Sequence, residues 1–313
     1  MTTQVKDTSR ISPAQQSHHL SQTYSSHSQI PSVSFMLWKT CNMRCKFCFA
    51  QWHNIDEQIL PEGHLSKEES LQVVRELHQA GFQKVTFAGG EPTLCPWLFE
   101  LVELAHNLGM ITTIVTNSST LTEEKVAQFA PILDWLGISL DSINPETNLK
   151  TGRAVSGQVS LTPEHYYKIA SSAHTHGLKL KINTVVNQTN YSEDLSDFIL
   201  KIKPQRWKVF QVLQVIGQND HSLGNLEIPQ NWYNRFLERH QHLQSHGITI
   251  VPEDNELMRG SYAQVDPSGR FYDDSPGYHI YSRPILEVGA AQAFQQVNPS
   301  FETFVQRGGI YQW

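Results

Sequence analysis

The residues best suited to chemistry are three cysteines in one short window, Cys41-Asn-Met-Arg-Cys45-Lys-Phe-Cys48; the remaining cysteine, Cys95, stands apart. Their spacing lets a single loop wrap three thiolates around a compact metal centre. A closed structural zinc site needs four protein ligands, and His53 is the nearest fourth candidate. A cubane iron–sulfur cluster on three thiolates would instead leave one iron free for an outside ligand. Spacing alone leaves both open. Disulfides are not needed to hold the fold, because 313 residues can bury a substantial core. A second motif, Phe87-Ala88-Gly89-Gly90-Glu91-Pro92, joins paired glycines that permit close backbone approach to a carboxylate that can accept from an amine.

Both motifs follow strand-like runs, so the elements that carry them decide whether they meet. Candidate strands cover 33–37, 84–87, 111–115, 135–139, 179–185 and 207–213. Helix-period segments lie between them. Ser66 with Glu69 makes a capping box and Gly81 a stop, a second helix ends at Gly109, and further patterns cover 122–129, 162–176 and 194–202. Six βα units imply an α/β fold with a parallel sheet, and charges along one face of the last strands favour a partial (β/α)6 barrel of the TIM type over 31–215. Both motifs would then sit at the carboxyl ends of neighbouring strands, where barrel chemistry is found. After Gly217 the rhythm breaks into a helix near 231–245, a short ITIV strand and a Gly, Pro and Tyr-rich stretch. Residues 216–313 are therefore expected to form a C-terminal extension closing the substrate site. Residues 1–30, crowded with Ser, Gln, His and Thr, are expected to be a disordered tail.

The fifth and sixth strands carry a second chemical signal. The period-two rule puts Lys179, Lys181 and Asn183 on one face, and Arg206 with Lys208 on one face of the next strand. Helices cover the outside of a barrel, so these cations should point inward and require an anionic partner; a polyphosphate satisfies them through multiple bonds. The competing expectation is an open edge whose charges face water. A net charge of −6 argues against a surface for nucleic acid. No apolar stretch approaches the roughly 20 residues that span a bilayer, and the start of the chain lacks the order of a signal peptide. A cytoplasmic protein with no membrane partner is expected.

The C-x3-C-x2-C spacing, with Phe47 before the third cysteine, and the GGEP loop together resemble the radical S-adenosylmethionine (SAM) superfamily. The resemblance implies a 4Fe-4S cluster on Cys41, Cys45 and Cys48, with SAM on the fourth iron as the source of a 5′-deoxyadenosyl radical. It sets SAM against Phe49, Gly89, Gly90 and Glu91, its ribose near Thr116, Asn117 and Ser139, and its carboxylate on Arg153. The runs LKINTVVNQTNYSEDL, IKPQRWKVFQVL, IVPEDNELMRGSY and FVQRGGIYQW narrow this to the viperin family, across nearly all of 33–313.

Membership would imply conversion of CTP, UTP or GTP to its 3′-deoxy-3′,4′-didehydro analogue, a chain-terminating antiviral nucleotide. The ribose 4′-hydrogen is abstracted and the 3′-hydroxyl leaves as water. By the same resemblance Lys181, Arg206 and Lys208 hold the triphosphate, Ser34 and Asn183 lie near the nucleotide, and Arg307 closes over the phosphates. Tyr262 returns a hydrogen atom. Mg2+ is expected with the nucleotide, a flavodoxin or ferredoxin as electron donor, and a monomer as the working form. Ser34 replaces an asparagine of animal members, which bears on base preference. The sequence stops at Trp313 where animal members run on into a Lys-bearing tail, so one phosphate contact is expected to be missing or replaced. Two alternatives stand beside this. One is another radical SAM enzyme with a different anionic substrate; the other is a zinc-stabilised, non-catalytic binding module.

Overall fold

The β-rich runs form one ten-stranded sheet in the computed structural model, which describes residues 30–53, 55, 60 and 62–313. β1 (Ser32–Trp38), β2 (Lys84–Gly89), β3 (Ile111–Thr116), β4 (Trp135–Ser139), β5 (Lys179–Val186), β6 (Arg206–Gln211) and β7 (Thr249–Glu253) lie side by side in chain order, each pair parallel. On the other side of β1, β8 (Ala263–Val265) pairs in parallel, and β9 (Arg270–Asp273) and β10 (Ile280–Pro284) extend that edge antiparallel. The order is β10-β9-β8-β1-β2-β3-β4-β5-β6-β7, so no ladder joins β7 to β8. This is the partial barrel that the βα rhythm implies.

The crossovers carry α1 (Lys67–Gln79), α2 (Leu98–Asn107), α3 (Glu123–Phe129), α4 (Pro145–Thr151), α5 (Pro163–Thr175), α6 (Ser196–Ile202) and α7 (Gln230–His240). α1 starts on the expected capping box, with Ser66 and Glu69 satisfying each other's backbone, and Thr122 and Thr162 cap α3 and α5. Alternation then sorts the strand residues. Val85, Phe87, Ile138, Leu180, Ile182, Trp207 and Val209 are buried in the main apolar core. Lys84, Thr86, Ser139, Lys181, Asn183, Arg206 and Lys208 face the other way and line a cavity. The alternative of an open-edge β6 fails, because β7 covers it.

Three expectations are corrected. The barrel does not end at strand six: β7 pairs with β6 in register, Lys208 opposite Val251 and Phe210 opposite Glu253, so the ITIV run is a further parallel strand. The segment after Gly217 is thus partly sheet, and only α8 (Asn255–Met258), α9 (Ile285–Val288), α10 (Ala290–Phe294), α11 (Phe301–Gln306) and the residues beyond are appended to it. The boundary of the expected tail moves, since Ile30 is buried in the core; the rest of that expectation, 1–29, lies outside the described residues. Among the described residues no helix is long and apolar enough to cross a membrane.

Leu180 is fully buried on the apolar side of β5. Leu180→Ala should cost about 2–5 kcal/mol of unfolding free energy, read as a lower denaturant midpoint with an unchanged m-value.

Candidate active site

The cysteine loop leaves the carboxyl end of β1 and is clamped from three sides. Gly90 N–H donates to the Trp38 carbonyl at 2.5 Å, and Glu91 N–H to the Thr40 carbonyl at 2.9 Å. A Cβ on Gly90 would overlap the carbonyl oxygens of Lys39 and Thr40, and one on Gly89 would crowd the Trp38 backbone. The paired glycines therefore serve the approach of this loop as well as bordering the cavity. From the second side, Arg44 N–H donates to Gly152 O at 3.1 Å and Lys46 N–H to Thr151 O at 2.9 Å. Gly152 is left-handed, with φ +79, at the end of α4, where a side chain would meet the Arg44 carbonyl. From the third side, the Asn219 amide donates to Phe47 O at 3.0 Å and the Ser222 hydroxyl to Lys46 O at 2.7 Å.

Cys41, Cys45 and Cys48 border one wall of the cavity. Met43 N–H and the Asn117 amide donate to the Cys41 sulfur at 3.4 and 3.8 Å. Burial pushes all three thiols up, with Cys45 reaching about 12; they ionise only when something cationic takes them. Arg153, close to the loop, opposes that rise at each. Among the described residues no three His, Cys, Asp or Glu side chains are gathered to hold a single metal ion. A single zinc needs its sulfurs within about 2.3 Å of one point; a cubane, with one thiolate per iron, spreads them wider. The loop fits the cluster better, and His53 is exposed with its ring on Gln51 at 3.1 Å.

The neighbouring residues are more tightly engaged than expected. Glu91 is buried with four donors on its carboxylate: Thr93 N–H, the hydroxyls of Thr93 and Thr116 at 2.5 Å, and Asn117 N–H at 2.7 Å. It ties the GGEP turn to the end of β3 rather than standing open to an amine. The Thr116 hydroxyl donates to Glu91, and the Asn117 amide to Asn42 at 2.9 Å and to Cys41, while both residues line the cavity. Ser139 and Phe49 do border the cavity, Phe49 being 38% exposed. Arg153 borders it too, its Nε on Asp141 at 2.6 Å and its guanidinium 5.4 Å from the Phe47 ring centre.

Toward the amino ends of the strands the same cavity, about 800 Å³, is lined by cations. Lys181, Arg206 and Lys208 are there as expected, as are Ser34 and Asn183. Lys179 is not among the lining residues; its ammonium lies 5.3 Å from the Trp135 ring centre. The fourth cation of the wall is Lys84, from β2. Burial first, then Lys181, Arg206 and Lys208, hold its pKa well below the usual lysine value. Burial and Arg206 push Lys181 down to about 7. Arg206 Nε and Asn183 Oδ1 are buried without a partner, as expected of groups awaiting a ligand.

Behind this wall lies Glu253. Its carboxylate ion-pairs with Lys208 at 2.5 Å and with Arg307 at 3.6 Å, and the Tyr262 hydroxyl donates to it. Burial alone would raise its pKa; the two cations reverse this and keep it ionised. Lys208 also donates to the Tyr262 oxygen at 2.9 Å. Arg307 is buried but still lines the cavity. Two of its nitrogens donate to Ser261 O at 3.2 and 3.1 Å, and its guanidinium stacks 3.5 Å from the Tyr262 ring centre. From the last residues of the sequence, Tyr311 reaches up to the cations: Lys84 and Lys181 donate to its hydroxyl, and Arg206 lies 3.7 Å from its ring centre.

Residues 36–202, more than half of the chain, match the Radical SAM superfamily. The S-adenosylmethionine-dependent nucleotide dehydratase of Flammeovirga pacifica is 47% identical over 286 residues, covering 91% of this chain and 96% of that protein. The chain belongs to the nucleotide dehydratase family of radical SAM proteins. The protein of the same name from Lacinutrix mariniflava is 49% identical over 286 residues, covering 91% of this chain but 59% of that protein's own length. Native anSMEcpe with bound AdoMet and the Cp18Cys peptide is a structural neighbour, with a TM-score of 0.64 at 15% identity, covering 90% of this chain and 85% of that one; it bears on the fold alone. The resemblance noted in the sequence is borne out at superfamily and family level.

Sequence reasoning missed Lys84, Glu253 and Tyr311. Lys84 was open to the period-two argument applied to β5, since Lys84, Thr86 and Ala88 alternate with Val85 and Phe87. Nothing in IVPED marks Glu253 as inward, because β7 was not recognised as part of the barrel.

Gly90→Ala should displace the cysteine loop without unfolding the barrel. Anaerobically reconstituted protein is expected to lose most of its iron and its charge-transfer absorbance while its far-ultraviolet circular dichroism is retained. Full iron content would show that the loop tolerates the methyl.

Proposed function

We propose that the protein is a radical SAM 3′-deoxy-3′,4′-didehydronucleotide synthase acting on a ribonucleoside triphosphate, CTP, UTP or GTP. One observation carries this reading: a single cavity has three cysteines at one end and, at the other, a cation wall with an orphaned donor, Arg206 Nε. A pocket of this size can take SAM and a nucleotide together. The cluster with SAM supplies a 5′-deoxyadenosyl radical when loaded. The chain's own residues bind and orient. Lys84, Lys181, Arg206 and Lys208 hold the triphosphate, which fixes the depth at which the ribose sits and so aims its 4′-hydrogen at the cofactor end. Asn183, one turn of the pleat above Lys181, is within the zone of the ribose. Tyr262, fixed by Glu253 and Lys208, is the hydrogen-atom source for the product-forming step. Reducing equivalents come from a small electron carrier of the flavodoxin or ferredoxin kind.

The decisive experiment is anaerobic incubation of reconstituted protein with SAM, a strong reductant and each ribonucleoside triphosphate in turn. At least one should raise 5′-deoxyadenosine formation sharply and give a product lighter by one water. Equal 5′-deoxyadenosine with and without every nucleotide would overturn the proposal. Lys181→Ala or Arg206→Ala should weaken nucleotide binding by about 10- to 100-fold, from the loss of charge-assisted bonds, with iron content unchanged.

Nucleotide affinity should also depend on pH. In the free protein Lys181 titrates near 7 and Lys84 is held well below the ordinary lysine value. A bound triphosphate raises both, so binding takes up protons, and affinity falls as pH rises above about 7. Calorimetry in buffers of different ionisation enthalpy measures that uptake directly.

A further inference from the structure

The charge of the cation wall bears on the form in which the nucleotide enters. Five cations meet at this end: Lys84 on β2, Lys181 on β5, Arg206 and Lys208 on β6, and Arg307 after α11. One carboxylate, Glu253, is buried among them. With every group ionised the set is positive by four. A nucleoside triphosphate carries about four negative charges near neutral pH, since terminal phosphates lose their second proton near pH 6. A magnesium complex would carry about half of that and could hold only two of these four in charged form, leaving the rest as unpaired charges or as neutral lysines that bind nothing, which is costly in a water-poor site.

Magnesium at nucleotide sites is held by one or two ionised carboxylates together with the phosphates, and the carboxylates near this cavity are poorly placed for it. Glu253 is occupied by Lys208, Arg307 and Tyr262. Glu91 has donors on both oxygens. Asp274 accepts Gly260 N–H at 2.8 Å, and burial raises its pKa, disfavouring the ionised form a hard cation needs. Asp134, the remaining acidic group that acts on Lys84, is engaged by Thr112 N–H at 2.8 Å.

We propose that the nucleoside triphosphate binds as its metal-free anion, with the lysine and arginine side chains of the wall standing where other nucleotide sites use magnesium. This rests on the nucleotide reading above and departs from the expectation that Mg2+ accompanies the substrate.

The test uses cluster-loaded protein with SAM and CTP, UTP or GTP. Affinity is measured by calorimetry in EDTA and in excess Mg2+. Because magnesium sequesters the free nucleotide, the apparent Kd should rise by about tenfold or more in excess Mg2+. In a second arm, protein is titrated into the manganese–nucleotide complex and followed by electron paramagnetic resonance. The signal of the free aquo ion should grow as the protein strips nucleotide from the metal. Tighter binding with Mg2+ than with EDTA, or loss of the aquo-ion signal, would overturn the metal-free form while leaving the nucleotide reading intact. No binding of any of the three nucleotides in either condition would overturn both.

Discussion

Like charges held together away from water are the constraint around which this molecule is organised. Lys84, Lys181, Arg206, Lys208 and Arg307 repel one another, and burial adds to the cost. The fold tolerates them through three devices. Four of them come from different strands or from different pleats of one strand, so backbone ladders fix their separation, and Arg307 is held from outside the sheet by the Ser261 carbonyl. Aromatic faces lie against them: Trp135 beside Lys84 and Lys181, Tyr311 under Arg206, and Tyr262 under Arg307. One carboxylate, Glu253, sits behind the wall, where it holds Lys208 and Arg307 and offsets one of the five positive charges.

The two ends of the cavity are built by different physics, suited to what each must do. The cation wall stands on strands whose opposite faces are packed in the core, so its geometry is as rigid as the sheet. The cysteine end stands on a loop, and its precision comes from backbone hydrogen bonds to two glycine turns and from the Asn219 and Ser222 side chains. Much of the polar chemistry that surrounds the cysteines is consumed in this task. Glu91, Thr116 and Asn117 spend their hydrogen bonds on each other and on the loop, which holds the site in shape before any cofactor arrives.

That division explains what could be read from the sequence. Strand alternation is a local rule, so Lys181, Asn183, Arg206 and Lys208 were legible as inward residues, and the βα rhythm gave the barrel. Capping chemistry gave the helix start at Ser66, and helical period gave those at Thr122 and Thr162. The roles of Glu91 and Thr116 were not legible, because whether a polar group faces a ligand or a neighbouring loop depends on contacts between segments far apart in sequence. Lys84 fell between the two cases. Its alternation was visible, but the glycine motif five residues later drew the functional reading to the other end of the same strand.

The sheet is open between β7 and β8, and that opening is where the least expected residues lie. Glu253 is the last residue of β7, and Tyr262 immediately precedes β8. No backbone ladder crosses this seam among the described residues, so the bond from the Tyr262 hydroxyl to the Glu253 carboxylate does part of a ladder's work. Lys208 reinforces it from β6, and Arg307 from the segment after α11, where it also holds the Ser261 carbonyl. Side-chain bonds to charged groups are individually stronger than neutral backbone bonds but fewer and fully buried, so losing one partner leaves an uncompensated charge rather than a merely weaker contact. The seam is therefore stiff while the set is complete and vulnerable when one member is removed. Because Lys208, Tyr262 and Arg307 also line the cavity, with Glu253 behind them, closure of the barrel and the electrostatics of the substrate end are one structure and not two.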